Sequence, residues 1–260
     1  MKKFKDNLGS QERFGYEWKK YSQIIPEYEK QFLKWISPIE KKDFAGKKIL
    51  DAGCGIGRNS FWPLTYGAKE VVALDYDKRT VNVAKKNLSK FKNAKVFYKS
   101  IYDIDYKNYF DIAFSIGVIH HLQKPKEAVS NLVKVAKKGG KIVIWVYGYE
   151  GNEWIVKYIS PIRKVTSKLP VQLTHKLAYL FSIPLYFYVK NFSSGNKYLQ
   201  QLSKFKLSHI HSITFDQLIP LIANYWKKEE VLNLFDKKDF KDMSTFRVNN
   251  NSWTVIATKK

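Results

Sequence analysis

Ile49-Leu-Asp-Ala-Gly-Cys-Gly-Ile-Gly-Arg-Asn-Ser60 decides how this chain is read. The apolar end of a strand, Lys48-Ile49-Leu50, runs into an acid, then a glycine-rich turn, then the start of a helix. Such a turn brings backbone N–H groups and a helix N-terminus against a polar ligand with no Cβ atoms in the way. A dinucleotide fingerprint spaces its glycines G-x-G-x-x-G. Here the glycines are Gly53, Gly55 and Gly57, and the third dinucleotide position falls on Arg58. Asp51, two residues before the first glycine, would repel a pyrophosphate and suits a ligand that carries positive charge.

Outward from this turn, residues 47–147 alternate strands with helices, which predicts a parallel sheet covered on both faces. The expected strands are 48–52, 70–75, 94–99, 110–116 and 141–147. A helix is expected from Arg58 to Gly67 with Pro63 near its first turn, another over 80–88, and a third over 126–138 stopped by Gly139-Gly140. Near the end of the chain come a helix at 229–235 and strands at 242–248 and 252–257. Residues 149–213 then remain, with nine Lys/Arg against two acids and with Trp154, Tyr158, Tyr179 and Phe181 interleaved. Thr214-Phe-Asp-Gln217 predicts a capping box opening the next helix, which Pro220 would kink. The first 46 residues contain Phe14-Gly-Tyr-Glu-Trp18 and a predicted helix over 26–36, with Phe32, Trp35 and Ile36 in its apolar stripe.

A hydrophobic content of 45% and 27% charged residues over 260 residues describe a globular chain with one substantial core. Cys54 is the single cysteine, which excludes an intramolecular disulfide and fits a reducing compartment. No apolar run follows Met1-Lys-Lys-Phe-Lys-Asp6, and the longest apolar stretch, 177–189, is short for a bilayer span and holds Pro184. A cytoplasmic location is expected. The net charge of +23 rests on lysine, with Arg13, Arg58, Arg79, Arg163 and Arg247 the only arginines among 46 basic residues. Base-reading proteins favour arginine. The charge leaves open a compositional bias or an anionic partner: RNA, anionic lipid or a phosphorylated acceptor.

The segment 49–60 resembles motif I of the class I S-adenosylmethionine-dependent methyltransferases, whose cofactor carries an ammonium and a sulfonium. Phe110-Asp-Ile-Ala-Phe-Ser-Ile-Gly-Val-Ile-His-His-Leu122 resembles the strand-four motif of the group that includes the ubiquinone-biosynthesis enzymes. With Asp75 ending strand two and Gly139-Gly140 before strand five, the resemblance covers 47–147 in order and spacing. It implies an α/β, Rossmann-like fold: a seven-stranded, mostly parallel sheet of order 3-2-1-4-5-7-6 with helices on both faces. Laid on this chain, that core takes 47–148 with 214–260, which leaves residues 1–46 as an N-terminal helical arm and the basic, aromatic stretch 149–213 as an expected helical lid inserted after strand five.

The implied cofactor is S-adenosylmethionine, held at Asp51, Gly53, Cys54, Gly55, Gly57, Arg58 and Asn59. Asp75 would accept from both ribose hydroxyls and Tyr76 would cover the adenine face. The backbone of Ser115, Ile116 and Gly117 would lie against the methionine end. The family commonly has an Asp after strand three for the adenine amino group; here Ile101 stands there. The adenine contact therefore falls to backbone at Ser100, Ile101 and Tyr102, or to Asp103. No Cys/His cluster has metal-ligand spacing, and no metal is expected.

Methyl transfer from a sulfonium needs alignment and exclusion of water, and a base only where the nucleophile must lose a proton. His120 and His121, just past strand four, are the candidate bases, His120 preferred, with Tyr147 beside them. Tyr16, Trp18, Tyr149, Glu150 and Asn152 are candidates to line an acceptor pocket. His209 and His211 read as surface or packing residues in the connection before the next helix. Phe14–Trp18, 145–153 and Asn224-Tyr-Trp226 resemble an uncharacterised subgroup, some of whose members are associated with glycan or lipid-linked assembly. The expected function is methyl transfer to an oxygen or nitrogen of a small or medium acceptor (a glycan, a lipid-linked compound or another metabolite), with peripheral contact to an anionic membrane. The alternatives are a tRNA or rRNA methyltransferase and a non-catalytic protein that binds the cofactor.

Overall fold

The computed structural model describes residues 9–192 and 197–260, so residues 1–8 of the expected arm and 193–196 of the expected lid lie outside the described residues. The chain forms two compact units, one of Met1–Glu17 with Glu153–Leu221, the other of Trp18–Asn152 with Ile222–Lys260. The first helix, α1, spans Gly9–Lys20.

The larger unit is built on seven strands: β1 (Lys48–Ala52), β2 (Glu70–Asp75), β3 (Ala94–Tyr98), β4 (Phe110–Ile116), β5 (Ala136–Tyr147), β6 (Phe240–Val248) and β7 (Ser252–Lys259). Their order is β3-β2-β1-β4-β5-β7-β6, with the first five parallel and β7 antiparallel to both β5 and β6. The expected sheet is therefore present. Central strands buried on both faces read as continuous apolar runs, and period-two alternation sorts their side chains between two cores. Ala113, Ile142, Ile144, Val146 and Val255 join one core with Leu132 and Val231. Ile112, Phe114, Ile116, Val143 and Trp145 join the other with Phe32, Trp35 and Trp62. The covering helices are α2 (Glu27–Ile36), α3 (Arg58–Thr65), α4 (Lys78–Asn87), α5 (Pro125–Val135) and α11 (Lys228–Leu232).

Two local expectations change in this unit. Pro63 sits at the sixth residue of α3, beyond its first turn, within a helix only eight residues long. The helix expected to reach Lys138 ends at Val135, and Ala136 already pairs with Phe110. Gly139 (φ 73°) and Gly140 lie inside β5 at a register shift, where a Cβ on Gly140 would stand 2.9 Å from the Lys137 carbonyl oxygen and 3.0 Å from that of Phe110. The glycine pair makes a bulge rather than a helix stop.

The smaller unit is helical: α6 (Ser160–Thr166), α7 (Val171–Leu177), α8 (Tyr179–Phe192), α9 (Lys197–Ser203) and α10 (Leu207–Leu218). Its core is Ala178, Phe215, Leu218 and Ile219, with Phe14 and Tyr16 packed against them. Arg13 donates to the carbonyls of Thr166 and Leu169, and Ser212 Oγ donates to Glu17. These bonds draw residues of the expected arm into the helical insertion. Thr214 does not open a helix: it lies within α10 and donates to the Ile210 carbonyl at 2.9 Å. His209 and His211 likewise belong to α10 and not to a connection; His211 is buried, 2.8 Å from Ser182 Oγ and 3.2 Å from His175.

Candidate functional site

The carboxyl ends of β1, β2, β4 and β5 meet along one edge of the larger unit's sheet, where open α/β folds bind ligands. The turn after β1 is fixed first. The N–H groups of Gly53 and Cys54 both donate to the Leu74 carbonyl, at 2.8 and 2.9 Å. Gly53 takes φ 87°, and a Cβ there would collide with the branched side chain of Val118. Gly55 takes φ 53°, and the nearest atoms to its missing Cβ belong to the Trp18 indole, at 3.8 and 3.9 Å. Gly57 caps α3. Cys54 is buried, its thiol 3.5 Å from the Gly55 carbonyl, and burial pushes that thiol far up from its ordinary range.

Two carboxylates flank this turn. Asp51 is wholly buried; Ser60 Oγ donates to its Oδ2 at 2.6 Å, and its Oδ1 has no hydrogen-bond partner among the described residues. Burial pushes Asp51 up to about 7, with the neighbouring Asp75 charge adding to the rise against the Ser60 hydrogen bond. Asp75 accepts from the Gly55 N–H at 2.9 Å and the Asp77 N–H at 3.0 Å, and burial raises it to about 6. A buried carboxylate oxygen with no donor is costly unless a cation or donor fills the place beside it. The chemistry of the pair fits a ligand with an ammonium group and vicinal hydroxyls.

Arg58 stands over the rings of Trp18, Tyr28 and Trp35, at 5.1, 5.2 and 5.3 Å. Its charge is held by aromatic faces. Asn59 is buried one residue further on. Tyr76 stacks on Tyr98 with 5.3 Å between centroids and 2° between planes. Past β3, Ile101 is packed in the core, Asp103 is exposed, and Ser100 Oγ accepts from the Tyr102 N–H at 3.2 Å. Asn131 donates to the carbonyls of both Ile101 and Tyr102 at 3.1 Å. Ser115 Oγ is committed to the Ala52 carbonyl at 2.7 Å, Ile116 is buried and Gly117 takes φ 78°, so this strand end offers backbone groups alone.

At the ends of β4 and β5 an aromatic cluster forms. His120 is fully buried, its ring 3.9 Å from Tyr147 and 4.2 Å from His121 between centroids. Tyr147 stacks on Tyr225 at 5.5 Å, and Asn224 donates to the His120 carbonyl at 2.9 Å from its backbone N–H. His121 Nδ1 lies 2.7 Å from the Ile222 carbonyl oxygen, so this nitrogen carries the proton and donates. The other expected acceptor residues part ways. Trp18 lies against the glycine turn. Tyr16 belongs to the smaller unit, edge-on to His175 and Phe215. Tyr149 is half-buried with Lys227 Nζ 5.7 Å above its ring, and Glu150 accepts from Trp253 Nε1 at 3.3 Å. Asn152 is buried, and its Nδ2 donates to Gly148 and Asn251 carbonyls at 2.8 and 2.6 Å, which makes it a bracket between chain segments. Val118, Asn131 and Tyr225 escaped the sequence reading. Val118 and Tyr225 lay inside the quoted stretches Phe110–Leu122 and Asn224-Tyr-Trp226, while Asn131 had no signal.

Residues 50–144 match the family described as methyltransferase domain. The mitochondrial ubiquinone biosynthesis O-methyltransferase of Dictyostelium discoideum is 30% identical over 129 residues, 45% of this chain and 39% of that protein. The tRNA U34 carboxymethyltransferase of Mannheimia succiniciproducens is 27% identical over 143 residues, 53% of this chain and 40% of its own length. The chain thus spans about two fifths of these curated relatives. Among solved structures, a SAM-dependent methyltransferase from Aquifex aeolicus shares the fold with a TM-score of 0.53, at 17% identity over 90% of this chain and 97% of that one.

Proposed function

We propose that this chain, a class I S-adenosylmethionine-dependent methyltransferase by its domain match and its sheet order, transfers a methyl group to an oxygen or nitrogen of a small or medium acceptor. The observation that carries the cofactor site is the buried Asp51 with its unpartnered Oδ1 beside the glycine turn. When bound, S-adenosylmethionine supplies a methyl group made electrophilic by its sulfonium. Asp51 then holds the ammonium, and Asp75 accepts from the ribose hydroxyls with lone pairs that Gly55 and Asp77 leave over. The turn from Gly53 to Gly57, Arg58 and Asn59 close round the methionine and ribose parts. Backbone at Ser115–Gly117 supports the methionine end. Of the groups after β3, the Ile101 N–H is assigned to an adenine ring nitrogen, since Asn131 occupies the carbonyls of Ile101 and Tyr102. Tyr76, braced by Tyr98, covers the ring.

For the acceptor, His121 has the arrangement a general base needs. Its Nδ1–H donates to the Ile222 carbonyl, which fixes the ring and makes Nε2 its basic nitrogen. His120, buried under Tyr147, is assigned to orienting the aromatic wall, a reversal of the preference drawn from the sequence. The ubiquinone-pathway relative supports a small-molecule acceptor. A second reading, an RNA acceptor, is supported by the tRNA U34 carboxymethyltransferase relative and by the +23 charge. Methylation of fractionated extract with labelled cofactor separates the two. Label in RNA alone would reverse their order, and no label in any fraction would leave a cofactor-binding protein without turnover.

Cofactor binding is expected to depend on pH in a definite direction. Asp51 titrates near 7 in the free chain and must be ionised to pair with an ammonium. Binding below that pH expels a proton. Affinity for S-adenosylhomocysteine should fall toward about tenfold per pH unit below 7 and level off above about 7.5. Without ligand the sign for stability is the opposite. Asp51 and Asp75 hold protons in the fold that the unfolded chain has lost, so stability declines as pH rises from about 4 to 7. Calorimetry from pH 5.5 to 8.5 reads the affinity slope; a flat profile would remove Asp51 from the site.

A further inference from the structure

The smaller unit carries most of the exposed apolar side chains of the described residues. Of the exposed large apolar side chains among the described residues, all but Phe97 and Tyr98 lie in this unit. Helix α8, Tyr-Leu-Phe-Ser-Ile-Pro-Leu-Tyr-Phe-Tyr-Val-Lys-Asn-Phe192, is apolar nearly all round. A helix of that composition belongs in a core or in lipid. Only Ser182 and Val189 of α8 are buried, on the side where Ser182 meets His211 of α10. Leu180, Ile183 and Phe187, spaced to share one stripe, are exposed, Leu180 to 69% and Phe187 to 61%. At 14 residues α8 is about 21 Å long against a hydrocarbon core of about 30 Å, and no helix of the described residues is long and apolar enough to cross a membrane.

Charge selects the occupant. Residues 153–221 hold nine Lys/Arg against Glu153 and Asp216. Lys157, Lys164, Lys168, Lys176 and Lys190 are exposed among the apolar side chains. A second copy of the chain would bring these like charges together. RNA is a poorer match. The exposed aliphatic side chains Val165, Leu180 and Ile183 cannot stack on bases, and both arginines of the unit are turned inward, Arg163 onto Gln217 and Arg13 onto Thr166. Exposed apolar side chains set among tyrosines and exposed lysines combine the two attractions that hold a protein on an anionic bilayer surface, apolar burial and lysine charge.

We infer that α8 and the flanking lysines seat this protein on the surface of a bilayer carrying anionic lipid, without crossing it. Flotation of the full chain with vesicles of phosphatidylcholine alone, and of phosphatidylcholine with phosphatidylglycerol, tests this. The anionic vesicles should capture the protein and the neutral ones should not. Leu180→Glu combined with Phe187→Glu should lower capture about tenfold or more while leaving the circular dichroism melt in place, because both side chains are exposed. Any of four results would overturn it: no capture by anionic vesicles, capture untouched by the double substitution, a dimer in light scattering that the same substitutions break, or retardation of tRNA that they abolish.

Discussion

Asp75→Ala is expected to weaken S-adenosylhomocysteine binding at least about hundredfold, read by calorimetry at pH 8. Two hydrogen bonds from ribose hydroxyls to an ionised carboxylate are worth about 1.5–3 kcal/mol each, together about 3–6 kcal/mol, and 1.4 kcal/mol is a factor of ten. The same carboxylate accepts from the N–H groups of Gly55 and Asp77, so its loss also releases the turn that would face the ligand. Asp75→Asn separates these contributions. It keeps an acceptor oxygen of the same shape and removes the charge, and is expected to fall between the wild type and alanine. Equal affinity in all three would mean that the end of β2 does not touch the ribose.

Gly53→Ala is expected to destabilise the whole larger unit by about 2–4 kcal/mol in denaturant unfolding. At φ 87° an L side chain costs about 1–2 kcal/mol, and the new Cβ is driven into Val118, whose branched side chain has little freedom to turn aside. Gly67→Ala is the internal control, since it has φ 84° but nothing within 4 Å of its missing Cβ. It should show the backbone cost alone. If the two variants unfold at the same denaturant concentration, the contact between the turn and Val118 carries no energy.

Much of the sheet was legible because its physics is local. β1 and β2 begin and end where their apolar runs meet a lysine, an acid or a glycine, and β4 ends at one. The strand order was legible only through family resemblance, since periodicity alone does not say which strands are neighbours. The misread Gly139-Gly140 shows the limit of local signals. A glycine pair after an amphipathic helix reads as a stop, but here the close approach of Phe110 and Lys137 backbone demands Gly140, and a φ of 73° favours Gly139. Thr214-x-x-Gln217 matched a capping pattern in the middle of a helix that already starts at Leu207. At the candidate site, the turn and its two acids stood out because spacing and residue type carry the chemistry. The contacts of His121 with Ile222 and of Asn224 with His120 did not. They join residues more than a hundred positions apart through backbone carbonyls, and no local pattern encodes that. Trp18 was noticed as an aromatic, but its place against Gly55 and Arg58 is a tertiary fact.

The burial of Cys54 gives the glycine turn a chemical clock. It is the sole thiol in 260 residues, and alkylation requires that it reach solvent as the thiolate. In native buffer its labelling rate by iodoacetamide therefore counts openings of the turn, with no competing cysteine to subtract. A ligand that binds only the closed turn slows the clock by one plus the ratio of its concentration to its Kd. Occupancy of the site becomes measurable by mass alone, before any acceptor is in hand. A labelling rate indifferent to saturating S-adenosylhomocysteine would show that the turn opens with the ligand still in place.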